Sequence, residues 1–300
     1  MYDFFIALAG VRVRVRARFP ETVRYFREYA VSALTESASV GPEPHADVPA
    51  PVDGPDVPAA ANAVRSAAVS GSAAPDVLQP SSLTADCRRG PVPILGDVAG
   101  LGDWEWNATT AAGMPVNAYT EYTVLTAFVS DALLEADRVI FHGVALRWRD
   151  RAWLITAPSG VGKSTQFKHL SALRPGEFSV ICGDRPVLEF RPADAAATGG
   201  IWVHPSPWNG KESWQGAEPA PLGGIISLRR GEENSLKAVS PRDIALEIFP
   251  QFLQSCREAE NIRRVAALET RMLEAVPLWR LTTFQVPDST KLLLETVFPQ

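Results

Sequence analysis

Ala157-Pro158-Ser159-Gly160-Val161-Gly162-Lys163-Ser164-Thr165 is the segment of this chain best equipped to do chemistry. The pattern G-x-x-x-x-G-K-[ST] works by geometry. Small residues let backbone N–H groups turn inward on phosphate oxygens, a lysine reaches the β- and γ-phosphates, and a hydroxyl coordinates Mg²⁺. Pro158, Ser159, Gly160, Val161, Gly162, Lys163, Ser164 and Thr165 are therefore expected to hold ATP, with Ser164 on Mg²⁺. Ala157 replaces the first glycine, and alanine accepts fewer backbone conformations. An acidic feature follows. Ser179-Val180-Ile181-Cys182-Gly183-Asp184 is an apolar strand ending in an acid. A carboxylate at such a strand end can hold the Mg²⁺ that bridges β- and γ-phosphates, so Asp184 is the expected metal ligand. A plain Gly-Asp turn is the competing reading.

These residues need elements to position them. Ala152–Thr156 is apolar enough for a buried strand entering the loop, and Phe167, Leu170 and Leu173 have helical spacing over Thr165–Leu173 leaving it. The strand–loop–helix context that the motif requires is thus expected. After Asp184 the pattern changes. Asp184-Arg185-Pro186 reads as a turn, Val187–Phe190 as a strand, Thr198-Gly199-Gly200 as a turn and Ile201–His204 as another strand. A parallel doubly wound domain would place a crossover helix there. Successive hairpins instead imply an α/β fold built on a mixed sheet.

Upstream, Phe4–Phe19 alternates Val-Arg-Val-Arg-Val-Arg and predicts one or two strands ended by Pro20, with Arg12, Arg14, Arg16 and Arg18 on a solvated face. Thr22–Leu34 has helical spacing, which gives residues 1–36 a small strand-helix segment, an α+β element of its own. Ala, Pro, Ser and Gly dominate from Ser37 to Pro80. Such a stretch buries too little apolar surface to offset its ordering entropy, so residues 37–95 are expected to be a flexible linker or insertion. Residues 96–300 are expected to form the ATP-binding domain. Within it, helices are expected over Thr120–Leu134, Ile244–Cys256 with a start at Pro241, Ile262–Ala275 and Lys291–Val297, with a strand at Leu278–Leu281.

Composition narrows the function classes. The 300 residues are 46% hydrophobic with a net charge of −5, and no basic stripe offers a nucleic-acid footprint. No apolar run reaches the length of a membrane span, and the apolar start after Asp3 lacks a basic n-region. Cys87, Cys182 and Cys256 form no disulfide framework. A reduced, cytoplasmic protein is the expectation.

The run from Phe141-His142-Gly143 through Ala157–Thr165 to Cys182-Gly183-Asp184-Arg185-Pro186 resembles the HPr kinase/phosphorylase group, whose kinase core is shared with phosphoenolpyruvate carboxykinases. The chain is most similar to bacterial HPr-kinase-like proteins of unassigned substrate, which carry a Pro-Trp-x-Gly-Lys segment, here Pro207–Lys211, and an apolar strand before Arg-Gly-Glu-Glu-Asn, here Arg230–Asn234. The resemblance covers residues 120–285 and weakly 1–36. It implies the P-loop core with a mixed sheet and transfer of the γ-phosphoryl of ATP to a hydroxyl, serine foremost, on a protein, peptide or small molecule. It also implies roles residue by residue. Lys163 binds phosphate, Asp184 matches the second acid of a family pair, and His142 matches a histidine near the phosphates. Gly183 stands where the first acid of that pair, a pair that in the kinases includes the general base, is expected. Lys211 is a candidate for stabilising charge on the transferred group, Glu212 for substituting as base if its loop folds over the site, and Arg230 for facing the nucleotide. A catalytically impaired ATP-binding regulatory module and a carboxykinase-like enzyme of small metabolites remain alternatives. The family's ring assemblies leave a homo-oligomer open.

Overall fold

The computed structural model describes residues 2–17, 19–30, 35–36, 82–93, 102–111, 118–192, 200–216, 218–253 and 259–300. The chain divides into two units, Met1–Ala132 with Ser255–Arg257, and Leu133–Gln254 with Glu258–Gln300.

In the first unit the Val-Arg alternation becomes strand β2 (Val11–Ala17), paired antiparallel with β1 (Tyr2–Leu8). Phe4, Ile6 and Leu8 oppose Val15, Val13 and Val11, and all six are buried. Period-two alternation puts Arg12 on the other face, where its guanidinium stacks over Phe5 at 3.9 Å, so that arginine covers an aromatic ring as well as meeting water. Ala9 and Gly10 both have positive φ (48° and 79°), as a two-residue hairpin turn requires.

Pro20 opens helix α1 (Pro20–Phe26) as well as closing the strand, because its fixed φ suits a first helical position. The helix expected to reach Leu34 is shorter. A 3-10 turn, Arg27–Tyr29, ends it, and Ala30 turns extended to form a bridge with Ile6. The sheet edge thus takes the residue that the spacing assigned to helix. Strand β3 (Thr35–Glu36) pairs with β1, strand β4 (Ser82–Pro93) pairs antiparallel with β5 (Gly102–Ala111), and β5 runs parallel to β2 with Trp104 opposite Val13. The resulting order is β3-β1-β2-β5-β4.

Two expectations change here. Ser82–Pro93 is strand, so the linker expected over 37–95 ends before it; Leu83, Thr84, Cys87 and Val92 break the Ala/Pro/Ser bias, and Ser82 to Gly90 pair in register with β5. The second unit begins at Leu133 instead of residue 96, because β5 and most of helix α2 (Ala118–Leu134) belong with the first. Most of the expected linker, 37–81, lies outside the described residues.

The second unit is a mixed α/β fold on a ten-stranded sheet. Its strands are β6 (Arg138–Phe141), β7 (Val144–Trp148), β8 (Arg151–Thr156), β9 (Phe178–Cys182), β10 (Val187–Arg191), β11 (Gly200–His204), β12 (Ala220–Arg230), β13 (Ser235–Ala238), β14 (Phe252–Leu253) and β15 (Leu278–Thr283). Along the main path the order is β14-β6-β10-β11-β12-β8-β7-β9, with β15 beside β12 and β13 beside β15. Only the β12–β8 and β12–β15 pairs are parallel; the hairpin β10–β11 is antiparallel, as the sequence pattern requires. Residues 193–199 between them, which include the expected Thr198-Gly199 turn, are outside the described set.

Helices α3 (Lys163–Leu173), α4 (Pro241–Ile248), α5 (Ala259–Ala275) and α6 (Val286–Thr296) cover both faces. Central strand β8 is apolar on each face for that reason: Ala152 and Leu154 share a core with Ile244, Ile248 and Met272 of α4 and α5, while Trp153 and Ile155 share one with Phe167, Leu170 and Leu293 of α3 and α6. The helix expected over Ile244–Cys256 stops at Ile248. Pro250 has no N–H to continue it, so a 3-10 turn follows and Phe252 and Leu253 pair with β6 instead. Cys256 lies outside the described residues. No helix among the described residues is long and apolar enough to cross a membrane.

Candidate functional site

Strand β8 ends at Thr156, α3 begins at Lys163, and the six residues between form the loop. Gly160 and Gly162 adopt φ of +75° and +122°, backbone that L side chains rarely enter. A Cβ on Gly160 would meet nothing within 4 Å, so the demand there is conformational, not spatial. Gly162 is the N-cap of α3 and its carbonyl accepts from Gln166 N–H. The first-turn N–H groups have no carbonyl partner within the helix and, with the helix dipole, favour an anion. Ser164 is half-buried and Thr165 exposed at this end.

Lys163 is only 8% exposed. Its Nζ donates to the Ala157 carbonyl at 3.1 Å and lies 2.9 Å from Nε2 of His142. His142 follows β6, and its carbonyl accepts from Thr156 Oγ1 at 2.8 Å, which ties it to the end of β8. On its other side, its backbone N–H donates to the Gln251 carbonyl at 2.7 Å and Nδ1 lies 2.9 Å from Gln251 Oε1. Burial, then the Lys163 charge, hold the imidazole below its ordinary pKa. Asp184 closes the group: its Oδ1 is 3.6 Å from His142 Nε2, its Oδ2 3.4 Å from Arg185 Nε, and its carbonyl accepts from Gly143 N–H at 2.7 Å. Lys163, His142 and Asp184 are therefore assembled at one end of the sheet.

Gly183 is buried, and a Cβ there would sit 2.5 Å from the Asn209 carbonyl oxygen and 3.1 Å from Trp214 Cβ. The space of a side chain at 183 is filled by the segment 205–216. Trp208 is 2% exposed, and the segment is pinned. Gly183 N–H donates to Trp214 O at 2.9 Å, Gly216 N–H to Ile181 O at 2.9 Å and Arg185 N–H to Trp208 O at 3.0 Å. β9 is the sheet's edge strand, and these bonds cover its free edge. Trp214 also packs edge-on to Phe167 of α3, 4.9 Å between centroids.

At the tip, Gly210 has φ +71° and a Cβ there would lie 3.0 Å from Asp184 Cβ. Lys211 follows it and is exposed. Glu212 turns to α3, where its carboxylate meets Lys168 Nζ at 2.8 Å. Arg230, at the end of β12, donates from Nη2 to the Gly160 carbonyl at 2.7 Å and so reaches the loop. Gln251 is the contributor that the sequence did not flag. It is 109 positions from His142 and belongs to no motif; only the strand after Pro250 brings it there.

The donor set suits Mg²⁺. Among the described residues no group of three or more His, Cys, Asp or Glu side chains is placed to hold a metal. Mg²⁺ at phosphates takes one or two protein oxygens and completes its shell with phosphate and water. A serine hydroxyl and an aspartate carboxylate meet that need.

No family model matches this chain, and no curated protein matches it. Among solved structures, the Hpr(Ser) kinase/phosphatase from Coxiella burnetii aligns at 11% identity over 53% of this chain and 95% of its own, with a TM-score of 0.29. Similarity at that level decides neither fold nor activity.

Proposed function

We propose that the second unit binds ATP with Mg²⁺ on Pro158–Thr165 and transfers the γ-phosphoryl group to a hydroxyl of a protein, peptide or small molecule, serine foremost. The observation that carries this is the convergence of Lys163, His142 and Asp184 beside a glycine loop that opens a helix. In the transfer, the acceptor oxygen bonds to the γ-phosphorus as the bond to the β-phosphate oxygen breaks, leaving ADP, and the hydroxyl proton passes to a phosphoryl oxygen or to water. The transition state is loose, so positioning and charge stabilisation dominate and a strong base is not needed. Lys163 supplies a buried cation for the β/γ oxygens, the loop N–H groups orient the chain of phosphates, and Arg230 braces Gly160. Ser164 and Asp184 would hold Mg²⁺, which neutralises charge on the β- and γ-oxygens. Lys211, exposed and next to the tip residue that lies on Asp184, would meet charge on the transferred group.

A second function is favoured by one observation: no side chain fits at Gly183. A module that binds ATP without passing on its phosphate would need no acid there. Incubation with γ-labelled ATP, Mg²⁺ and serine-bearing acceptors separates the two. Label transfer above the Lys163→Ala control supports the kinase. ATP binding with neither transfer nor hydrolysis leaves the binding module, and no ATP binding sinks both.

A further inference from the structure

We propose that Gln251 is a positioning residue of this site, holding His142 in the tautomer whose Nε2 turns a lone pair, not an N–H, towards Lys163. This rests on the nucleotide-binding function proposed above and deepens it. The placement is set by register. Phe252 pairs with Phe141 and Leu253 with Ile140, so Gln251 falls opposite His142, and the His142 N–H donates to the Gln251 carbonyl at 2.7 Å. The Phe141 and Phe252 rings pack edge-on, 5.1 Å apart, and fix that pairing. Residues opposite each other in an antiparallel pair put their side chains on the same face.

The amide can be oriented from its surroundings. Gln251 Nε2 donates to the Glu247 carbonyl at 3.4 Å, which leaves Oε1 as the atom 2.9 Å from His142 Nδ1. An amide oxygen only accepts, so Nδ1 carries the hydrogen. In a neutral ring Nε2 then bears the lone pair, and the Lys163 ammonium donates to it at 2.9 Å. The other tautomer would set an N–H against the ammonium and leave the buried Gln251 oxygen, on a residue 6% exposed, without its partner. Gln251 thereby keeps Lys163 extended at the mouth of the loop, where an arriving phosphate replaces the imidazole as acceptor. Pre-extension lowers the ordering cost of binding.

The test uses the full chain with ¹⁵N-labelled histidine, without nucleotide, at a pH of about 8, well above an ordinary imidazole pKa. Ring ¹H–¹⁵N correlations, with His142→Asn used for assignment, report which nitrogen is protonated. Wild type should show His142 protonated at Nδ1 only. Gln251→Leu should redistribute the proton between the two nitrogens, while Gln251→Glu, which keeps an acceptor oxygen, should not. A non-hydrolysable ATP analogue should bind about five-fold more weakly to Gln251→Leu. An Nε2-protonated wild-type ring, or an unchanged signal in Gln251→Leu, overturns the inference; if that variant does not fold, the wild-type and Gln251→Glu signals decide. A wild type that binds no nucleotide would overturn the proposed function, and the ring signals would still judge Gln251.

Discussion

His142 Nε2 lies 2.9 Å from Lys163 Nζ. The two residues are joined through β7, β8 and the glycine loop, and the contact exists because Thr156 holds the His142 carbonyl at the end of β8. A buried cation thus rests on an imidazole beside a glycine loop that opens a helix.

That contact has a pH signature. The folded imidazole has a lowered pKa, from burial first and the Lys163 charge second. The unfolded imidazole takes its proton near 6.5. Below that the unfolded state binds more protons, so the stability from neutral His142 is present above about 6.5 and is lost as pH falls through the lower folded value. Denaturant titrations from neutral to mildly acidic pH should show a weaker pH dependence in His142→Asn than in wild type. Equal slopes would contradict this.

Glu269 should behave in the opposite sense. It sits on α5, 6% exposed, with Oε1 lacking a hydrogen-bond partner among the described residues, and burial pushes its carboxyl up to about 7. Its folded pKa is raised, so the associated stability is present below the unfolded value near 4.5 and is lost as pH rises to about 7. Glu269→Gln should therefore raise the Tm more at pH ~8 than at pH ~5. A larger gain at the acidic end would refute the placement.

Restoring an acid at Gly183 should not create a better enzyme. Any side chain there meets the Asn209 carbonyl, and the 205–216 segment cannot shift without losing its bonds to β9. Gly183→Asp should lower the Tm by roughly 3–10 °C, the overpacking range for a domain of this size. A stable Gly183→Asp with faster transfer would show that the segment opens readily.

The tip of that segment offers a contrast. Glu212 is engaged with Lys168, whereas Lys211 is exposed next to Gly210 on Asp184. Glu212→Gln should leave transfer within about two-fold, as expected for a half-exposed ion pair. Lys211→Ala should cost at least about ten-fold in kcat, in the range for losing one charge-stabilising donor. The reverse order would make Glu212 the base.

The loop, the two flanking elements and the β10–β11 hairpin were legible because glycine spacing and apolar periodicity act locally. The Val-Arg alternation likewise announced strand at β2. What stayed hidden depends on distant pairing. Ala30 leaves its helix for Ile6, β4 finds β5 beyond a stretch too poor in apolar residues to announce a strand, and Gln251 reaches His142 only because Pro250 ends α4. Gly183 stood out in the sequence only through the resemblance, as a glycine where a pair of acids is expected. Its positive reason, the Asn209 and Trp214 backbone lying against it, needs the three-dimensional edge of β9.

The central claim is that this loop binds ATP through Lys163. The most direct measurement is calorimetric titration of the full chain with a non-hydrolysable ATP analogue and Mg²⁺, wild type beside Lys163→Ala. A buried charge-assisted contact predicts saturable wild-type binding that weakens by about ten-fold or more in the variant. Equal affinities in the two proteins, or no binding by wild type, would contradict it.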